Sequence, residues 1–204
     1  MEPRRRVARE AARLLYTGSF SEYKHAKEAA ALSLGLDAVP SNHEVAVELD
    51  LLADEMEGDG RRGLLVGMRG DALRVMRALA ELEPRLIGSV WRGTARRGSD
   101  IDIVAYSARP EEVVGRLAAS GLAVRSVEEV AASEGGRPRR SHHISVALDG
   151  GYEAEVVVRP PWERGLTERC EIYGDLKRGL GLPELEKLMR ADPLRKLVPR
   201  RRRR

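Results

Sequence analysis

Gly88-Ser89-Val90-Trp91-Arg92-Gly93-Thr94-Ala95-Arg96-Arg97-Gly98-Ser99-Asp100-Ile101-Asp102, running on into Ile103-Val104-Ala105-Tyr106, is the stretch on which the reading of this chain turns. Residues 100–106 are rich in β-branched side chains and begin with alternation, which predicts a half-buried strand. Residues two apart on a strand point to one face, with Cα atoms roughly 7 Å apart. Asp100 and Asp102 therefore present two carboxylates side by side, while Ile101 and Ile103 face the core. Unpaired carboxylates that close repel one another, and one tends to stay protonated. A divalent cation with a taste for hard oxygen ligands relieves the conflict. Mg²⁺ (or Mn²⁺) takes one or two carboxylates and keeps phosphates and water as its other ligands.

The glycine-containing turn supplies the complementary half. It follows the apolar segment Arg85-Leu86-Ile87, a short first strand. Gly88 lets backbone approach a ligand closely, and successive N–H groups in such a turn form an anion-binding nest. Ser89 adds a hydroxyl, and Arg92 has the forked donors that suit phosphate oxygens. Taken singly, each member has a plainer explanation: Ser99 and Asp100 suit a turn entering a strand, and Gly88 suits a bulge. Asp102 resists that explanation, because an unpaired carboxylate inside an apolar strand is costly.

The pattern of a hydrophobic residue, Gly88-Ser89, a spacer, then Asp100-Ile101-Asp102-Ile103 resembles the signature of the DNA polymerase β-type nucleotidyltransferase superfamily. Gly88-Ser89-Val90-Trp91-Arg92-Gly93-Thr94-Ala95 is similar to minimal nucleotidyltransferases and to the catalytic domains of archaeal CCA-adding enzymes, although Trp91 departs from the small residue common there. Glu22-Tyr23-Lys24 and Cys170-Glu171-Ile172-Tyr173-Gly174-Asp175 resemble small archaeal nucleotidyltransferase-domain proteins. The resemblance implies an α+β fold: N-terminal helices, then a mixed β-sheet with flanking helices. It implies two Mg²⁺ or Mn²⁺ ions on Asp100, Asp102 and a third carboxylate, and an NTP substrate, ATP by frequency in the family. Gly88, Ser89 and Arg92 would hold phosphate. The acceptor is expected to be an RNA 3′ end or, as in the antitoxin-type members, a protein hydroxyl. A non-catalytic RNA-binding module that keeps this shape is the reading from another class.

The strand Tyr152-Glu153-Ala154-Glu155-Val156-Val157-Val158-Arg159 offers two candidates for the third acid. Both face one side. Glu155 precedes the apolar run, as the family's third acid does, and is favoured over Glu153. His142 and His143 lie on the preceding strand and point to opposite faces, with the register deciding which one meets the site. Arg137, Arg139 and Arg140 belong to a Gly/Pro/Arg stretch, 133–140, read as a loop.

Composition bounds the rest. The chain has 204 residues, one cysteine (Cys170) and no glutamine, and Asn42 is its single asparagine. One cysteine excludes a disulfide framework. Few thermolabile amides together with 33% charged residues is a thermophile pattern. No apolar run spans a membrane and no signal peptide is present, so a cytoplasmic location is expected. Seven of the last eleven residues are basic and none is acidic. The net charge of +4 therefore belongs to the tail, and the remainder is acidic. Such a run is either solvated or a contact for a phosphate backbone.

Helices are expected over 7–15, 22–34, from a Ser41–Glu44 capping box to about Glu57, over about 62–82, and over 110–120 and 182–190. Residues 122–131 fit a strand, with helix open for part of it. Residues 142–148 and 152–159 form a hairpin around Asp149-Gly150-Gly151. The organisation that results is a helical region 1–84, a core with its C-terminal helix 85–192, and a basic tail 193–204.

Overall fold

In the structure, a computed structural model, residues 2–134, 137–166 and 168–199 are described, with backbone alone for residues 132–134 and 137–139. Gly135, Gly136 and the terminal arginines 200–204, along with the side chains of Arg137 and Arg139, lie outside the described residues.

Contacts divide the chain into two units. The first comprises Met1–Arg61, Arg169–Leu176 and Pro199–Arg204. Its helices are α1 (Pro3–Tyr16), α2 (Tyr23–Leu34) and α3 (Asn42–Glu57). Val7, Ala8, Ala11, Ala12 and Leu15 of α1 pack on Ala26, Ala30 and Val45 in a small, alanine-rich core. The expected capping box forms in full: Ser41 Oγ accepts from the Glu44 N–H, and the Glu44 carboxylate accepts from the Ser41 N–H. The segment 169–176 joins this unit through Asn42 Nδ2, which donates to the Glu171 carbonyl at 3.3 Å, and through an edge-on contact of His43 with Tyr173.

The second unit, Arg62–Glu168 with Lys177–Val198, holds the sheet. Most of α4 (Asp59–Ala78) lies in it, followed by β1 (Arg85–Ile87), α5 (Gly88–Arg92), β2 (Ile101–Tyr106) and α6 (Pro110–Ala119). Then come β3 (Ala123–Glu134), β4 (Arg137–Ala147), β5 (Glu153–Arg159), β6 (Leu180–Gly181) and α7 (Leu182–Ala191). The strand order is β3-β4-β5-β2-β1-β6. β2 and β5 are parallel and every other neighbouring pair is antiparallel. The fold is therefore α+β with a mixed sheet, as the motif implied.

Alternation sets the two faces. Leu86, Ile101, Ile103, Ile144, Val146, Ala154, Val156 and Val158 turn inward and pack with Leu65, Met68 and Val75 of α4, Leu79 just after it, Val113 and Leu117 of α6, and Leu185 of α7. Asp102 and Glu155, their neighbours in sequence, fall on the opposite face.

Two expectations are corrected. The described residues of 133–140 are strand rather than loop: β3 continues to Glu134 and β4 starts at Arg137, with Glu134 opposite Arg137. Pro138 is tolerated because this end of β4 extends past β5, whose pairing stops at His142, so no second ladder needs its missing N–H. The basic tail is also not free from residue 194. Residues 193–197 are held in the second unit, as described below.

Candidate active site

The approach to the acid pair is built by a tight turn. The Arg96 N–H donates to Ser99 Oγ at 3.1 Å and the Ser99 N–H returns to the Arg96 carbonyl at 2.9 Å. Gly98 supplies the left-handed residue that the turn needs, with φ +75°. The chain thus enters β2 with Asp100 just before the strand and Asp102 on it.

β1 leads into the site from the other side. Ile87 pairs with Asp102 across the antiparallel ladder, and the chain then turns at Gly88, φ +70°, into α5. The Gly88-Ser89 segment is therefore the start of a short helix rather than an isolated turn. A Cβ built on Gly88 would lie 2.8 Å from Asp102 Cγ and closer still to its carboxylate. Glycine is required here twice over, by the positive φ and by the carboxylate packed against its Cα. The same closeness sets the acid beside the Gly-Ser backbone.

Register puts the third carboxylate next to the second. Asp102 pairs with Glu155 across the parallel β2–β5 ladder. Glu155 in turn pairs with Ser145, and His143 with Val157, so Glu155, His143 and Asp102 share one face. His142 pairs with Val158, a core residue, and belongs to the other face. Among the described residues, no three His, Cys, Asp or Glu side chains converge as a ready-made metal cage.

The electrostatics separate the acids. Burial, then Glu155, then Asp100 push the Asp102 carboxyl up to about 6. Asp100 is raised less, first by partial burial and then by Glu153 and Glu155. Among the described residues, no cation offsets either shift. Glu153 and Glu155 differ in their partners. Arg125 Nη1 donates to Glu153 at 2.7 Å, so a guanidinium balances that charge. Glu155 is met by His143 Nδ1 at 2.9 Å, and His143 Nε2 lies 3.2 Å from Ser141 Oγ.

Arg92 takes a different place from the one its chemistry suggested. It is only 4% exposed, lies 3.9 Å over the Trp91 ring, and donates from Nη1 to the Leu197 carbonyl at 3.0 Å. The Leu197 N–H bonds back to the Arg92 carbonyl at 2.8 Å. Arg69, fully buried, works alongside it. Its guanidinium donates to the carbonyls of Val90 and Trp91 in α5 and of Pro193 and Arg195 in the C-terminal segment. Burial lowers the Arg69 pKa to about 10, and it stays charged at neutral pH. The C-terminal segment is thereby strapped to the helix that follows Gly88. Nothing in the sequence distinguished Arg69 from a solvent-facing helix arginine.

With this geometry in place, residues 76–172 match the family model described as a nucleotidyltransferase domain. That stretch, just under half of the chain, is similar to domains of an enzyme class that transfers nucleotidyl groups. More narrowly, the match is consistent with the DNA polymerase β-type nucleotidyltransferase superfamily that the motif resembles. Among solved structures, the chain is similar to that of a cytoplasmic RNA terminal U-transferase, with 17% identity, 57% of this chain covered and a TM-score of 0.29. The chain spans 34% of that protein's length. Curated proteins give no match. Among the described residues, no helix is long and apolar enough to cross a membrane.

Proposed function

We propose that this chain transfers a nucleoside monophosphate from an NTP, with ATP as the expected donor, to an acceptor hydroxyl. The observation that carries the proposal is the register pairing of Asp102 with Glu155, beside a glycine that packs against the Asp102 carboxylate.

The donor set fits a hard divalent cation. It consists of carboxylate oxygens that raise the pKa values of Asp100 and Asp102, a shift that no cation among the described residues offsets, beside a backbone suited to phosphate. Asp100 and Asp102, with Glu155, would hold Mg²⁺ or Mn²⁺, two ions in all. Bound there, the metal supplies charge neutralisation at the triphosphate and acidifies the acceptor hydroxyl. The Gly88 and Ser89 backbone and the Ser89 hydroxyl hold the phosphates as charge develops on pyrophosphate. The acceptor oxygen bonds to the α-phosphorus, the bond to the β-phosphate oxygen breaks, and pyrophosphate leaves. Glu155 is the group placed to receive the acceptor's proton or to complete the metal site. Arg92 has no part in this account, because it is buried under the C-terminal strap.

An RNA 3′ end is the acceptor that the arginine-rich terminus favours, through sequence-independent phosphate contacts. A protein side-chain hydroxyl is the competing acceptor. Incubation with each α-labelled NTP, Mg²⁺, and either total RNA or total protein separates them: label in RNA supports this reading, and label confined to protein replaces the acceptor.

A further inference from the structure

We infer that His143 is a positioning residue for the third carboxylate: it fixes Glu155 by an Nδ1 hydrogen bond and is itself oriented by Ser141. The inference rests on the reading of Glu155 given above.

Three observations lead to it. First, β4–β5 register sends His143, and not His142, to the face that carries Asp102 and Glu155. Second, the contacts are directional. A carboxylate only accepts, so the 2.9 Å contact requires the proton on His143 Nδ1; in the neutral ring Nε2 is then an acceptor for the Ser141 hydroxyl at 3.2 Å. One tautomer satisfies the whole chain from Ser141 to Glu155. Third, the two acids of β5 are treated differently. Glu153 is balanced by a guanidinium, whereas Glu155, with a side chain 44% exposed, is held by an imidazole. A neutral imidazole orients a carboxylate without cancelling its charge, which is what a metal ligand or proton acceptor needs. A glutamate on the open face of a strand otherwise samples several rotamers, and the bond removes that freedom before any ligand arrives.

The test uses the full chain as wild type, three variants at His143 and Asp102→Asn, with Mn²⁺ binding read by electron paramagnetic resonance and NTP turnover read as kcat and KM. Asn places its amide nitrogen where Nδ1 stands, and Gln places it near Nε2. His143→Ala and His143→Gln should weaken Mn²⁺ binding about tenfold and lower kcat with little change in KM for NTP. His143→Asn should recover to within about threefold of wild type by keeping a donor to Glu155. Melting curves establish that all three fold, and a merely structural histidine would not show the Asn-over-Gln order. Mn²⁺ binding and kcat unchanged in His143→Ala, or Asn no better than Gln, overturns the role of His143. Mn²⁺ binding in Asp102→Asn equal to that of the wild type overturns the reading of the site, and the role of His143 with it.

Discussion

Asp102 imposes a cost on the metal-free protein at neutral pH, and its sign is fixed. Its carboxyl titrates near 6 when folded, against an ordinary value of 3.8, so the folded state binds the proton more tightly. Stability is therefore undiminished below about pH 4, falls as the pH rises between about 4 and 6, and stays reduced above that. Asp102→Asn should raise metal-free stability at pH 7.5 by on the order of 2 kcal/mol, measured by urea unfolding, and the gain should vanish at pH 3.5. A gain that is the same at both pH values would mean the burial cost is misassigned. Gly88→Ala acts on the same carboxylate. Its Cβ must displace Asp102 and its φ is strained, so both Mn²⁺ and ATP binding should drop by an order of magnitude or more, as seen by calorimetry. Retention of metal binding alone would show that Asp102 yields without consequence. Gly88, Ser89, Asp100 and Asp102 were legible in the sequence because turn chemistry and strand alternation are local. Glu155 was favoured over Glu153 there for its place before the apolar run, whereas which of His142 and His143 shares its face was not legible, because that depends on the register between strands. A guanidinium that suits phosphate suits a backbone carbonyl equally well, and Arg92 donates to that of Leu197.

At the level of elements, helix periodicity and caps were readable. Gly67 did not break α4, and the absence of a Cβ there leaves room for the Tyr152 hydroxyl, which donates to Asp71 at 2.8 Å. The β3–β4 hairpin was shortened in the sequence reading because Gly and Pro dominate 133–140, and only the lack of a second neighbour beside that end of β4 makes Pro138 acceptable. The strap over α5 was invisible for the opposite reason: a basic run looks solvated until a buried partner is known. Arg69 joins four carbonyls from two segments, and its loss removes a donor from each, although the Val90 carbonyl keeps the Gly93 N–H. Arg69→Met should lower stability by about 3 kcal/mol in urea unfolding and speed hydrogen exchange at the Leu197 amide. Unchanged exchange there would show that the strap is held without Arg69.

At the scale of the whole molecule, the anchored strap ties residues 193–197 to the fold of the second unit. If RNA is the acceptor, deleting residues 200–204 should make the dependence of log affinity on log salt shallower by at most about 3.5, since each phosphate contact on a single strand contributes roughly 0.7. Deleting residues 194–204 should in addition destabilise the protein, because it removes the strap's carbonyl at Arg195 and both bonds of Leu197 to Arg92. Equal stability of the two truncations would contradict the structural role of the strap. All of these features serve one claim, that the carboxylates on the open face of the sheet drive nucleotidyl transfer. The most direct measurement of that claim is pyrophosphate release and label transfer from α-labelled NTP to RNA in Mg²⁺, comparing wild type with the Asp100→Asn, Asp102→Asn double variant. The account predicts transfer with stoichiometric pyrophosphate in the wild type and none above background in a folded double variant. Equal transfer by the two proteins, or none by the wild type with any NTP and either RNA or protein as acceptor, would contradict it.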